Sequence, residues 1–162
     1  MKKIAALALL CFLATTLTAV YSQTSRSDTK SILNDFTRLG KIDGSSFSFV
    51  LLNNKTVELL FTPPSMYQIR ARANQGTAFY VIGAAVKKFT LEKKFVVEQN
   101  GEIFDCEMIN IENFTGGEIA KGQKIKGILQ LSKKLDLTHP FTIKGAQDSL
   151  EFKLTEDALK EL

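Results

Sequence analysis

The chain has 162 residues, long enough for one ordinary domain with its own core. Its net charge is only +4, and two of its lysines sit at the extreme N-terminus, so nothing points to the clustered basic surface that nucleic acid requires. One histidine, two cysteines and no tryptophan argue against a zinc cage and against a sugar-stacking module of the usual kind.

The first twenty-two residues read as a secretory signal. Met1-Lys2-Lys3 is a basic head, Ile4 to Leu17 is apolar apart from Thr15 and Thr16, and Val20-Tyr21-Ser22 offers a cleavage site. The apolar run is shorter than the roughly twenty residues that span a bilayer. Leu10 stands before Cys11, inside the run, where a lipid-modified cysteine would follow a small residue near its end. The expectation is signal peptide 1–22 and a single domain over 23–162, periplasmic or secreted from a bacterium, with no membrane span after cleavage. Cys106 is then the sole cysteine of the mature chain. It is either buried, because it shares parity with Phe104 and Met108, or an intermolecular thiol.

Asp28 is a helix cap, and Ile32, Leu33, Phe36 and Leu39 share one helical face before Gly40. This predicts a short helix over 29–39. From Phe47 the period becomes two. Strands are expected at 47–52, 57–62 and 67–71, separated by the Asn53-Asn54-Lys55 turn and by Pro63-Pro64. Asn74-Gln75-Gly76 turns the chain again. Ala78 to Val86 is apolar on both parities and reads as a strand covered on both faces.

Phe95 to Glu98 and Glu102 to Met108 flank Asn100-Gly101, the strongest hairpin signal in the chain. A change of parity near Met108-Ile109 predicts a bulge. Beyond the Gly116-Gly117 loop, strands are expected at 125–131, 141–143 and 150–154, then a helical turn capped by Thr155. About eight short strands predict a mainly β fold, an antiparallel immunoglobulin-like sandwich with one N-terminal helix.

Chemistry-bearing patterns are sparse. His139 precedes Pro140 in a polar loop, and neither a nucleophile elbow nor a phosphate loop occurs, so no catalytic residue, cofactor or metal is expected. Glu98 to Glu118 carries only acidic charges and Lys121 to Lys134 only basic ones, which predicts opposite charges facing across paired strands. Asp105 and Glu107 share a face that could bind calcium or a cationic partner. Lys87-Lys88 and Lys93-Lys94 flank Phe89-Thr90-Leu91 and form a basic loop with a potential for anionic surfaces.

The stretch Phe79 to Leu154 resembles the secreted immunoglobulin-like domains of unknown function found in bacterial exported proteins. The resemblance is carried by the apolar strand Phe79 to Val86, the strand Phe95-Val96-Val97 and the hairpin from Asn100 to Phe104. Gly122 and Gly127 add a Gly-x-x-x-x-Gly spacing ahead of a late apolar strand. It implies no catalytic residue. The expected function is a non-enzymatic interaction module for an envelope or extracellular protein. Contacts are expected at an open sheet edge, at the Asn53–Lys55 and Asn74–Gly76 turns, and at Asp105, Glu107, Asn113, Phe114 and Lys121. The alternative is a lipocalin-like carrier, with the phenylalanines lining a cavity for a small apolar ligand.

Overall fold

The computed structural model describes residues 29–42, 45–145 and 148–162; the expected signal segment 1–22 and the expected Asp28 cap lie outside them. The chain divides into two compact units, Met1–Ile32 and Leu33–Leu162. Of the first, residues 29–32 are described and are helical. The second unit begins with the rest of that helix, α1 (residues 29–35), and is otherwise dominated by strands.

The strands are β1 (Thr37–Ile42), β2 (Ser45–Leu51), β3 (Ala78–Ala84), β4 (Phe89–Leu91), β5 (Phe95–Gln99), β6 (Glu102–Glu112), β7 (Gly117–Ile119), β8 (Lys124–Leu131), β9 (Phe141–Lys144) and β10 (Ser149–Phe152). Eight of them form one sheet in the order β1-β2-β3-β8-β6-β5-β9-β10, and β4 pairs with β7 in a separate ribbon. Every adjacent pair is antiparallel. The sheet curls until its two edge strands lie side by side. A Cβ added to Gly40 on β1 would sit 2.9 Å from the Leu150 side chain on β10. Arg38 reaches across the same seam, donating to the Lys153 carbonyl, with its guanidinium 5.5 Å from the centre of the Phe152 ring.

The expected immunoglobulin-like pair of facing sheets is therefore replaced by one barrel-like sheet. Strand alternation explains how it fills. Along β2, Phe47, Phe49 and Leu51 turn inward while Ser46 and Ser48 turn outward. The lumen is packed with rings: Phe79 lies 5.6 Å from Phe141 and 5.4 Å from Phe152, and Phe95 stacks on Phe114 at 6.1 Å. Small residues accommodate the large ones. Gly83 leaves room for Phe47, and any side chain at Gly127 would collide with the Phe114 ring.

Two expected strands are helices. The segments read as 57–62 and 67–71 fold as α2 (Asn54–Leu60) and α3 (Ser65–Gln75). Asn53 and Thr56 form a reciprocal capping box: the Asn53 side chain accepts from the Thr56 amide at 2.9 Å, and the Thr56 hydroxyl accepts from the Asn53 amide at 2.9 Å. Val57, Leu60 and Phe61 then share a face, as do Met66, Ile69 and Ala73 of α3. Both faces pack on Ala78, Tyr80, Ile109 and Ile128, on the outside of the sheet. This layer is why β3 is apolar on both parities, one side facing the lumen and the other the helices.

Further boundaries move for identifiable reasons. The helix expected to reach residue 39 stops at 35, because Thr37 to Ile42 pair with β2 along their whole length. Leu39 consequently points outward and is 77% exposed, and Gly40 serves the seam instead of a helix end. The bulge falls between Asn110 and Glu112, slightly beyond the expected position. The Asn100-Gly101 hairpin has φ of 53° and 81°, as its turn chemistry requires. Thr155 caps α4 (Glu156–Lys160) by accepting from the Ala158 amide at 3.2 Å.

Candidate functional site

The outer wall of the barrel carries a groove between α3 and β6. Alternate residues of β6 face outward, which places Asp105, Glu107 and Ile109 in one row, and the bulge leaves Ile111 beside them at 47% exposure. On α3, Ser65, Gln68, Ile69 and Arg72 recur at helical spacing and face this row. Together with Phe61 and Ile128 they line an apolar cleft of about 320 Å³. A second cleft of about 350 Å³ is lined by Arg72, Gln75, Asp105, Glu107 and Gln130. Arg72 borders both, so the two clefts form one surface with an apolar half and an acidic half.

The local electrostatics follow from pairing. Asp105 is bonded to Lys94 at 2.9 Å, Glu112 to Lys126 at 3.0 Å and Glu58 to Arg70 at 2.7 Å. Glu102 likewise meets Lys133 at 2.9 Å, so the acidic and basic segments do face each other across β6 and β8. Such exposed pairs are each worth about 0–1 kcal/mol. Glu107 has no cationic partner among the described residues and is the free charge of the acidic half. The hydrogen bond from Lys126 to Glu112 holds the ammonium pKa above its ordinary value. Tyr80, edge-on to Phe61 at 4.9 Å, has its phenol raised mainly by burial. The Oε1 atom of Gln130 is buried without a hydrogen-bond partner among the described residues.

Of the residues expected at an interaction surface, the structure brings together only Asp105 and Glu107. Asn113 has φ of 54° and spends its amide on the Lys124 carbonyl at 2.8 Å, a turn-forming role. Lys121 lies in an exposed turn at one end of the barrel. Phe114 is not a surface residue: it is 1% exposed and plugs the lumen beneath Gly127. Cys106 is not presented for pairing between chains. It is buried, and burial, with a smaller contribution from the Asp105 charge, pushes its thiol up to about 12.

His139 is engaged locally. Its Nδ1 lies 2.9 Å from the Asp136 carboxylate and 3.0 Å from the Thr138 hydroxyl. Asp136 is held below its ordinary pKa chiefly by hydrogen bonds from Thr138, then from His139. The buried Gln99 side chain donates to the Asp136 carbonyl at 2.8 Å and accepts from its amide at 3.0 Å, fixing the loop from beneath. Among the described residues no group of three or more His, Cys, Asp or Glu side chains is arranged to hold a metal ion.

Phe61, Ile69, Arg72, Ile109 and Ile111 were absent from the surface expected from sequence. The parity change at Ile109 was the available signal, because it left two isoleucines on an outward row. No family model, no curated protein and no solved structure matches the chain. The fold and groove define a small antiparallel, barrel-like protein with a helical cover on one wall.

Proposed function

We propose that the protein is an exported, non-enzymatic interaction module of the bacterial cell envelope, and that the groove between α3 and β6 receives a segment of a partner protein. The observation that carries this reading is the open apolar cleft that adjoins the Asp105–Glu107 pocket at Arg72. A matching segment has one or two apolar side chains followed by a basic one. The apolar residues supply area removed from water, and the charge fixes direction.

Export is the reading of Met1 to Ser22. The resemblance to secreted immunoglobulin-like domains is one of turn chemistry, Asn100, Gly101 and Gly122 adopting the positive φ that their turns need, while the strands themselves form one barrel-like sheet. No described helix is long and apolar enough to cross a membrane. The carrier alternative draws less support, since phenylalanine rings occupy the lumen in which a ligand would sit.

Site-specific photocrosslinking in cells tests the groove. A photoreactive residue at Ile111 or Glu107 is expected to trap a discrete protein adduct, and Glu107→Lys is expected to weaken the adduct formed from Ile111. Ile103 lies on the same strand, is 64% exposed and stands outside both clefts, so it is the control. The same adduct from position 103, or no adduct from 107 and 111, would overturn the reading.

A further inference from the structure

The two ends of the barrel differ in charge. One end is built from residues 85–94 and 113–124, which lead into and out of the β4–β7 ribbon. These segments carry six lysines (Lys87, Lys88, Lys93, Lys94, Lys121 and Lys124) against two glutamates, Glu92 and Glu118, and all six lysines are exposed. Two are neutralised, Lys88 by Glu118 at 2.8 Å and Lys94 by Asp105 at 2.9 Å. Lys87, Lys93, Lys121 and Lys124 have no carboxylate partner among the described residues. At the opposite end, Lys133 and Lys134 are accompanied by Glu102 and Asp136, and α4 with its C-cap adds Glu156, Asp157 and Glu161 against Lys160, which pairs with Asp157, and Lys55, which pairs with Glu161.

The basic end is a fixed platform. The Ala85 amide donates to the Gln123 carbonyl at 2.9 Å, and the Gly122 amide donates back to the Ala85 carbonyl at 2.7 Å. Phe89, Leu91, Phe114 and Ile119 are buried beneath it. The lysines therefore project from a surface whose backbone is already ordered. Val86 projects from the same turn at 75% exposure, directly before Lys87 and Lys88. Water gains nothing from an apolar side chain there, whereas a bilayer interface accepts one among its headgroups.

We propose that this end of the barrel adsorbs to an anionic lipid bilayer, the lysines meeting headgroup phosphates and Val86 entering the interface. A soluble polyanion would satisfy the lysines equally well, and Val86 is the feature that favours lipid. Each lysine close to the surface adds to the attraction, which fades over a Debye length of about 8 Å at physiological salt. This surface is distinct from the groove and carries a separate prediction.

The test is flotation of the full exported protein, as recovered from cells, with vesicles containing about 30% phosphatidylglycerol or phosphatidylcholine alone. Binding is expected only to the anionic vesicles and to fall as salt rises. Replacing the four unpaired lysines, Lys87, Lys93, Lys121 and Lys124, by glutamate is expected to weaken it at least roughly tenfold. Val86→Ser should weaken vesicle binding while leaving its salt dependence unchanged. Replacing Lys133 and Lys134 by glutamate at the other end should have no effect. The proposal is overturned by equal binding to both kinds of vesicle, by unaltered binding of the fourfold variant, or by binding to soluble polyphosphate without binding to vesicles. Circular dichroism of each variant confirms that exposed substitutions leave the fold intact.

Discussion

Cys106 shows how a single buried group ties stability to pH. Its thiol points into the lumen from β6 at 8% exposure, and burial lifts its pKa from 9.0 to about 12. Below about pH 9 the thiol is neutral in both folded and unfolded chains, so its contribution to stability is fully present. Above that the unfolded chain releases the proton while the folded chain keeps it. The unfolded state then binds fewer protons, and stability falls with rising pH until the folded thiol itself ionises near 12. Denaturant unfolding followed from about pH 8 to 11 should therefore give a steeper loss for the native protein than for Cys106→Ala. Parallel slopes would show that the thiol ionises as freely in the fold as outside it. At this scale the parity of Phe104, Cys106 and Met108 was legible because a strand repeats every two residues. The depth of Phe114 was not, because it depends on the empty place above Gly127 on another strand.

At the scale of elements, the seam is the weakest line in the barrel. No ladder joins β1 to β10 among the described residues, and Arg38 bridges them instead. Its guanidinium donates to the Thr37 carbonyl at 2.8 Å, to the Asp35 carbonyl at 3.3 Å and to the Lys153 carbonyl beyond β10. Hydrogen bonds from a charged donor are worth about 1.5–3 kcal/mol in such settings. Arg38→Ala should accordingly speed amide exchange in β1 and β10 by roughly tenfold or more, with β3 and β8 little changed. Uniform acceleration across the sheet would mean that the seam does not open on its own. The strands themselves were readable where polar and apolar residues alternate, as in β2, β8 and β10, and where Asn100-Gly101 dictated a hairpin. α3 reads as a strand because Tyr67, Ile69 and Ala71 alternate by accident. Tyr67 is 60% exposed, and the residues that pack are Met66, Ile69 and Ala73, at helical spacing. The polar, helix-favouring composition of α3 was the better guide. Closure of the sheet was not legible, since it brings β1 beside β10 from opposite ends of the strand order.

At the scale of the molecule, the decisive feature is that the barrel is full. Phe79, Phe141 and Phe152 form a three-ring cluster with centroids 5.0 to 5.6 Å apart, and Phe79 and Phe152 are wholly buried. A carrier of the same size would leave this volume to its ligand, and here side chains from β3, β9 and β10 occupy it. The consequence is measurable by emptying the site. Phe79→Ala removes the ring that touches both others and should cost about 3–5 kcal/mol, since neighbouring strands tied into a sheet collapse only partly into the space. The resulting void is apolar and stays dry, so it should bind benzene or xenon, as engineered core cavities do. The native protein should bind neither in the lumen, because no comparable space exists among those rings. Chemical-shift changes at Val81, Ile143 and Leu129 on adding benzene would locate the ligand. If they appear in Phe79→Ala alone, the barrel is a solid scaffold and recognition belongs to its outer surfaces. If they appear in the native protein as well, the rings part readily, and the small-ligand reading moves ahead of the groove.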